Sequence, residues 1–117
     1  MTTNSPTEQG ESGLRPASLS HDTIFTLLSH RHRRTVLNLL LAQYRALTLR
    51  DLRNEIVERK HGTEITELDD EQVKQTMVLL HHVHIPKLAE TDIVTYDQDR
   101  MIVEPTEKLE QMEPFLS

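Results

Sequence analysis

The feature that most constrains the fold is the stretch 70–103, in which a helical pattern ends and a strand pattern begins. From Asp70 to Leu88 the apolar side chains recur at helical spacing, and Pro86 interrupts this pattern near its end. Two runs of β-favouring residues follow, at 93–96 and 101–103, around a charged turn. This order predicts a helix that is followed by a β-hairpin.

Composition limits the size and the type of the protein. A chain of 117 residues with 36% hydrophobic residues can bury one small core. The absence of cysteine excludes disulfides and thiolate metal sites, and it fits a reducing compartment. No apolar run approaches the roughly 18 residues of a membrane span, and the polar N-terminus has no signal-peptide core. We therefore expect a cytoplasmic protein that does not contact membranes.

Capping residues divide the chain into elements. Residues 1–18 have almost nothing to bury and predict a disordered tail. Ser20 and Ser29 are expected to begin the first two helices, and Thr48 with Asp51 has the spacing of a capping box for the third. The segment 105–117 predicts a short C-terminal helix. With the hairpin, residues 20–104 are expected to form one mainly α domain of the winged helix-turn-helix type.

The charge is distributed unevenly along the chain. The net charge is -6, yet residues 31–60 carry eight Lys or Arg against three acids, which is a local balance of +5. The rest of the chain therefore carries -11. Such a distribution is typical of a basic face on an acidic protein, although a solvated helix surface gives the same pattern.

The helix that begins near residue 70 is expected to bury one side and expose the other. Steps of 100° per residue place Val73, Met77, Leu80, His84 and Leu88 on the core side. Amide and basic side chains on the outward side are suited to base edges and phosphates, and arginines elsewhere are suited to phosphates. The candidate DNA-binding residues are Arg31, Arg33, Arg34, Arg50, Arg53, Gln72, Lys74, Gln75, His82 and Arg100.

Two local charge patterns complicate this interpretation. The run Arg31-His32-Arg33-Arg34 begins a helix with positive charge, which opposes the helix dipole and hints at a ligand such as phosphate, or at a nearby acid. Conversely, the acids from Glu64 to Glu71 precede the presumed recognition helix. They suit the dipole of that helix, but they repel DNA phosphate.

Three histidines lie close together before Pro86. A metal site built from His81, His82 and His84 is one interpretation, because imidazoles bind Zn, Ni and Cu. His81 and His84 share a helix face, but neither a cysteine nor a placed carboxylate completes the site. Structural or exposed histidines are therefore the favoured interpretation, and neither a metal nor a cofactor is predicted.

Two segments resemble a known family. The run Leu80-His81-His82-Val83-His84-Ile85-Pro86-Lys87-Leu88, followed by Ile93-Val94-Thr95-Tyr96-Asp97, resembles the signature L-Y-H-V-H-L-P-K-L with G-V-V-x-Y-D of a winged-helix family of halophilic archaea. Residues 28–37 resemble its L-S-N-x-R-R-R-x-V-L opening. His81 and Asp92 depart from the usual Tyr and Gly. The resemblance covers about residues 20–104, and it implies an ArsR-like helix-turn-helix fold of undefined function.

These observations favour a transcriptional regulator that binds double-stranded DNA as a homodimer. Two alternatives remain: a winged-helix module that binds a protein partner, and a metal-responsive regulator that uses His81, His82 and His84. An enzyme is not expected. The chain has three glycines and shows no phosphate loop, Ser-His-acid, Cys-His or paired-carboxylate arrangement.

Overall fold

The computed structural model describes residues 18–62 and 69–116. The predicted N-terminal tail, apart from Ser18, lies outside the described residues, as does most of the acidic connection before residue 69. The described part contains five α-helices, one π turn, one 3-10 helix and three strands. They are α1 (His21–Leu28), α2 (Arg31–Gln43), β1 (Leu47–Thr48), α3 (Leu49–His61), α4 (Asp70–Leu79), the π turn (Leu80–His84), α5 (Ile85–Glu90), β2 (Val94–Asp97), β3 (Ile102–Pro105) and the 3-10 helix (Glu107–Phe115).

Side-chain caps set the beginnings of the helices. The hydroxyl oxygens of Ser20 and Thr48 accept backbone N–H groups at the starts of α1 and α3, as the sequence predicts. The predicted cap of α2 is wrong by one residue. His30 is the N-cap, and its Nδ1 accepts the N–H of His32 at 3.0 Å. Ser29 instead closes α1, because its hydroxyl donates to the carbonyl of Thr26 at 2.7 Å.

The three strands form one antiparallel sheet in the order β1–β3–β2. The predicted hairpin is present as β2 and β3, with Tyr96 opposite Val103. The third strand was not predicted, because β1 has only two residues and directly precedes α3. In β1, Leu47 lies opposite Val103, so the central strand β3 pairs on both sides. Asp92 has a φ of 64°, the left-handed exit that its position after the helix suggests.

The core consists mainly of aliphatic side chains from both the helices and the sheet. We call the continuous helical segment 70–90, which comprises α4, the π turn and α5, the key helix. In it, Leu80, His84 and Leu88 are buried as predicted, while Val73 and Met77 are half-buried. The remaining large buried side chains come mainly from α2, α3 and the two long strands. Fully buried examples are Leu37, Leu40, Leu49, Leu52, Ile93, Val103 and Leu109. This mainly helical arrangement with a small antiparallel sheet is compatible with a winged-helix-like fold.

Pro86 follows an irregular turn in the key helix. In the π turn, the N–H of Ile85 donates to the carbonyl of Leu80, five residues earlier, so one extra residue is accommodated before the proline. Leu80 and Ile85 are consequently both fully buried. The interruption that Pro86 predicts thus takes the form of a π turn between α4 and α5.

Candidate functional site

The outward face of α4 begins with polar side chains. Gln72, Lys74 and Gln75 are exposed, as the sequence predicts, and Glu71 is exposed beside them. Thr76 is buried, and its hydroxyl donates to the carbonyl of Gln72 at 3.0 Å. Val73 and Met77 are half-buried on the side that faces the core, so α4 packs there and leaves its amides and one ammonium in solvent.

The same face becomes apolar further along the chain. Val78, Leu79 and Val83 are 55%, 39% and 43% exposed, although large aliphatic side chains are usually buried. His82, another predicted DNA contact, is exposed among them. The outward surface therefore has a polar first half and an apolar second half. The helical spacing also places Val78 at the edge of the outward side, as the structure has it, but it does not predict the exposure of Leu79 and Val83.

The predicted phosphate contacts fall into two groups. Arg31, Arg34 and Arg50 are exposed, although the guanidinium of Arg34 also donates to the carbonyl of Leu28. Arg53 is half-buried, and its guanidinium donates to Oδ1 of Asn54 at 2.7 and 3.0 Å. Arg100 is exposed in the hairpin turn, where its NH1 lies 4.0 Å from a carboxylate oxygen of Asp97.

Arg33 corrects the sequence-based expectation. It is only 5% exposed, so it is not accessible to a DNA phosphate. Its guanidinium donates to the carbonyls of Leu27 and Thr26 at 2.8 and 3.1 Å, and to the hydroxyl of Ser29 at 3.2 Å. It also contacts Nδ1 of His84 at 3.1 Å. Arg33 satisfies the carbonyl groups at the end of α1, a role that charge patterning cannot distinguish from a surface arginine.

The structure divides the predicted histidine cluster. Nδ1 of His81 lies 2.6 Å from the hydroxyl of Tyr96 on β2, and His82 is exposed. His84 instead points into the interior and is 2% exposed. The three rings therefore lie in different environments. Among the described residues, they do not form a group whose nitrogens could bind one metal ion.

His84 instead meets two histidines from the beginning of α2. One ring nitrogen from each of His30, His32 and His84 lies within 4.8 Å of the others. The ring centroids are 4.3 Å apart for His30 and His84, 4.8 Å for His30 and His32, and 5.5 Å for His32 and His84. We call these three residues the histidine cluster. Sequence analysis missed it because His84 lies 52 to 54 positions further along the chain than the other two, and no local spacing links them.

The histidine cluster has two buried members, His32 and His84, and lies in a positive environment. Burial, together with the neighbouring rings and cations, lowers the pKa of both His32 and His84 to about 4. Burial and nearby arginines also lower the pKa of His30. All three rings are therefore neutral at pH 7. The cationic side chains that act on them are Arg31, Arg33, Arg34, Lys60 and Lys87.

Two nitrogens of the cluster are buried without a hydrogen-bond partner in the described part of the chain. They are Nδ1 of His32 and Nε2 of His84. The two side chains are 8% and 2% exposed, whereas His30 is exposed. Buried polar atoms are nearly always paired, so these two nitrogens mark a position where the protein alone does not complete its hydrogen bonding.

Fold and site together define a small, mainly helical domain with a three-stranded sheet, an exposed polar helix face and a half-buried histidine cluster. The chain belongs to a family described as a domain of unknown function, DUF7344, whose model matches residues 25–104. No curated protein and no solved structure matches the chain. None of the helices in residues 18–62 and 69–116 is long and apolar enough to cross a membrane.

The family match agrees with part of the expected resemblance. It covers nearly the same range as the 20–104 inferred from the motifs, and the family function is likewise undefined. The ArsR-like relationship and the halophilic archaeal source stay predictions.

Proposed function

We propose that the protein is a DNA-binding regulator that inserts the polar half of the outward α4 face into the major groove. The supporting observation is that Gln72, Lys74 and Gln75 are exposed on a helix whose other side is packed in the core. An α-helix fits the major groove, where a Gln side chain can read adenine and a Lys can read guanine. The adjacent hairpin of β2 and β3 gives the domain a wing-like element.

Exposed arginines are the proposed phosphate contacts. Arg31, Arg34 and Arg50 are accessible, and the proposal excludes Arg33 because its guanidinium is buried. Phosphate contacts supply position and salt-sensitive affinity rather than sequence preference. Arg100 in the hairpin turn is a further, single cation at the wing.

The test is a mobility-shift assay with genomic fragments over a range of KCl concentrations. We expect a shift that weakens as salt increases, and a smaller salt dependence for Arg50→Gln, because each lost phosphate contact lowers the slope by about one unit. Arg45→Gln is the matched control, since it removes the same charge from another exposed arginine outside the proposed contacts. No shift at any salt concentration would contradict the proposal.

A second candidate function is a protein-interaction module, and the apolar half of the same face favours it. Next to the proposed reading residues, three aliphatic side chains are exposed: Val78, Leu79 and Val83. Exposed apolar patches commonly mark protein interfaces. Leu79→Gln, which removes apolar surface without changing charge, separates the two functions: loss of a protein partner with retained DNA binding favours the interaction module, and DNA binding with no protein partner favours the first proposal.

The proposed active form is a homodimer. Phe25 and Phe115 are 57% and 38% exposed, and their rings make an edge contact with centroids 6.1 Å apart. His21 contacts both rings. This aromatic group supports a contact with a second copy of the chain. Light scattering of Phe25→Asp tests it, since a wild-type dimer should become a monomer.

A further inference from the structure

We infer that the histidine cluster, at the N-terminus of α2, is a binding site for a phosphate-like oxyanion. This site is distinct from the proposed DNA-reading face, because no candidate reading residue belongs to the cluster. Four features support it: the hydrogen positions on the rings, the spacing of the nitrogens, the surrounding charge and the helix end.

Hydrogen-bond partners fix which ring nitrogens carry a hydrogen. An arginine only donates, so Nδ1 of His84 accepts from Arg33, and the neutral ring carries its hydrogen on Nε2. Nδ1 of His30 accepts the N–H of His32, so its hydrogen is also on Nε2. The cluster therefore presents at least two N–H donors, and the one on His84 is buried and unpartnered.

These hydrogen positions disfavour a metal ion. A metal needs a lone pair from each ring, and a metal-binding histidine normally donates its other N–H to an acceptor. In His30 and His84 the other nitrogen already accepts a hydrogen bond. The ligand nitrogens are also separated by up to 4.8 Å, whereas two nitrogens on one tetrahedral zinc ion would lie about 3.3 Å apart.

The electrostatic environment also favours an anion. The five cationic side chains that lower the pKa values of the rings would repel a divalent cation and attract a phosphate group. The first turn of α2 contains no acid, and the partial positive charge of a helix N-terminus adds to this potential. At this basic beginning of α2, Arg33 and Arg34 donate to carbonyl groups at the end of α1, and a bound anion would offset more of the positive charge.

The cluster is accessible through its outer member. His30 is exposed, as are the flanking Arg31 and Arg34, whereas His32 and His84 form the buried side. An oxyanion entering beside His30 would accept the N–H of His84 and satisfy it. His32 completes the site in the tautomer that carries its hydrogen on Nδ1, because this buried nitrogen then donates to the oxyanion.

Thermal unfolding in phosphate and in chloride, at the same pH and ionic strength, tests this inference. Inorganic phosphate should raise the melting temperature of the wild-type protein, because a ligand that binds only the folded state stabilises it. In His30→Asn the Asn oxygen still caps α2, but the ring donor is lost, so phosphate should bind about fivefold more weakly. His82→Asn, the same change at an exposed histidine outside the cluster, should show the same rise in melting temperature with phosphate as the wild type, and it is a control for this phosphate measurement alone.

Two further measurements, of DNA binding and of Co²⁺ binding, identify the ligand. If free phosphate has no effect but His30→Asn lowers the salt slope of DNA binding, the oxyanion comes from the DNA backbone, and the inference is supported. The phosphate arm does not depend on DNA binding, so failure of the proposed function leaves it intact. The inference would be overturned if wild type and His30→Asn showed the same change in melting temperature with phosphate and the same salt slope of DNA binding. So would stoichiometric binding of Co²⁺ that His30→Asn abolishes, because the cluster would then be a metal site.

Discussion

The guanidinium of Arg33 lies 3.1 Å from Nδ1 of His84 and joins the first turn of α2 to the π turn of the key helix. Arg33 is 5% exposed and His84 is 2% exposed. Through the same guanidinium, the end of α1 is tied to both elements. The orientation of α4 relative to the first two helices therefore depends on a charged side chain inside the protein.

Replacing Arg33 by Met should destabilise the fold strongly. The substitution retains much of the side-chain volume but leaves the buried carbonyl of Leu27 and Nδ1 of His84 without a donor. Each unsatisfied buried group costs about 1–3 kcal/mol, so we expect the free energy of unfolding to fall by about 2–4 kcal/mol. Urea denaturation measures it. Arg34→Met, at the exposed neighbour, should lose less than about 1 kcal/mol, and equal losses would contradict the assigned role.

Stability should fall as the pH decreases from 7.5 to 5. The folded pKa of His32 and of His84 is about 4, below the unfolded value of 6.5, so protons bind the unfolded chain preferentially as the pH falls below 6.5. For each ring acting independently, the loss is about 2 kcal/mol at pH 5. Urea unfolding in phosphate-free buffer measures it. His32→Asn should flatten this pH dependence, whereas an unchanged slope would show that the cluster does not titrate in this way.

The contact between His81 and Tyr96 should stabilise the attachment of the hairpin to the key helix. The ring nitrogen and the hydroxyl are 2.6 Å apart, and both side chains are half-buried. Tyr96→Phe removes the hydroxyl and should lower the free energy of unfolding by about 1 kcal/mol. A double-mutant cycle with His81→Phe isolates the pair, and a coupling energy near zero would mean that the contact contributes nothing.

The amphipathic helices and their ends could be predicted from the sequence because local rules determine them. Spacing placed Leu80, His84 and Leu88 in the core, and hydroxyl caps placed the starts of α1 and α3. The polar residues of the α4 face were also placed correctly in solvent. These features need only periodicity and short-range hydrogen bonds.

The features that sequence analysis missed depend on contacts between distant residues. Arg33 looked like a surface cation because burial of an arginine requires acceptors that α1 supplies only in the folded state. The histidine cluster needs α2 and the π turn to meet, and β1 needs β3 as its partner. Val83 lies within the π turn, where the helical register changes, so its exposure could not be predicted from an uninterrupted helical spacing.

Removing negative charge from the first turn of α4 should strengthen DNA binding. Asp70 and Glu71 are exposed immediately before the proposed reading residues, where they repel phosphate. Asp70→Asn should therefore lower the Kd severalfold at low salt, and the gain should shrink as KCl is added. Fluorescence anisotropy with labelled duplexes measures this change. The matched control is Asp99→Asn, at an exposed acid in the hairpin turn, and an equal gain there would indicate only a general effect of net charge.

The central claim is that the outward glutamines of α4 read DNA sequence, and selection of duplexes from a random pool tests it most directly. Wild type should enrich a defined sequence. Gln75→Ala should bind that sequence about 5- to 150-fold more weakly while its affinity for random DNA is unchanged, because one good base contact contributes about 1–3 kcal/mol of discrimination. Gln43→Ala, at an exposed glutamine at the end of α2, should behave as wild type. Failure to enrich any sequence, or equal binding by wild type and Gln75→Ala, would contradict the claim.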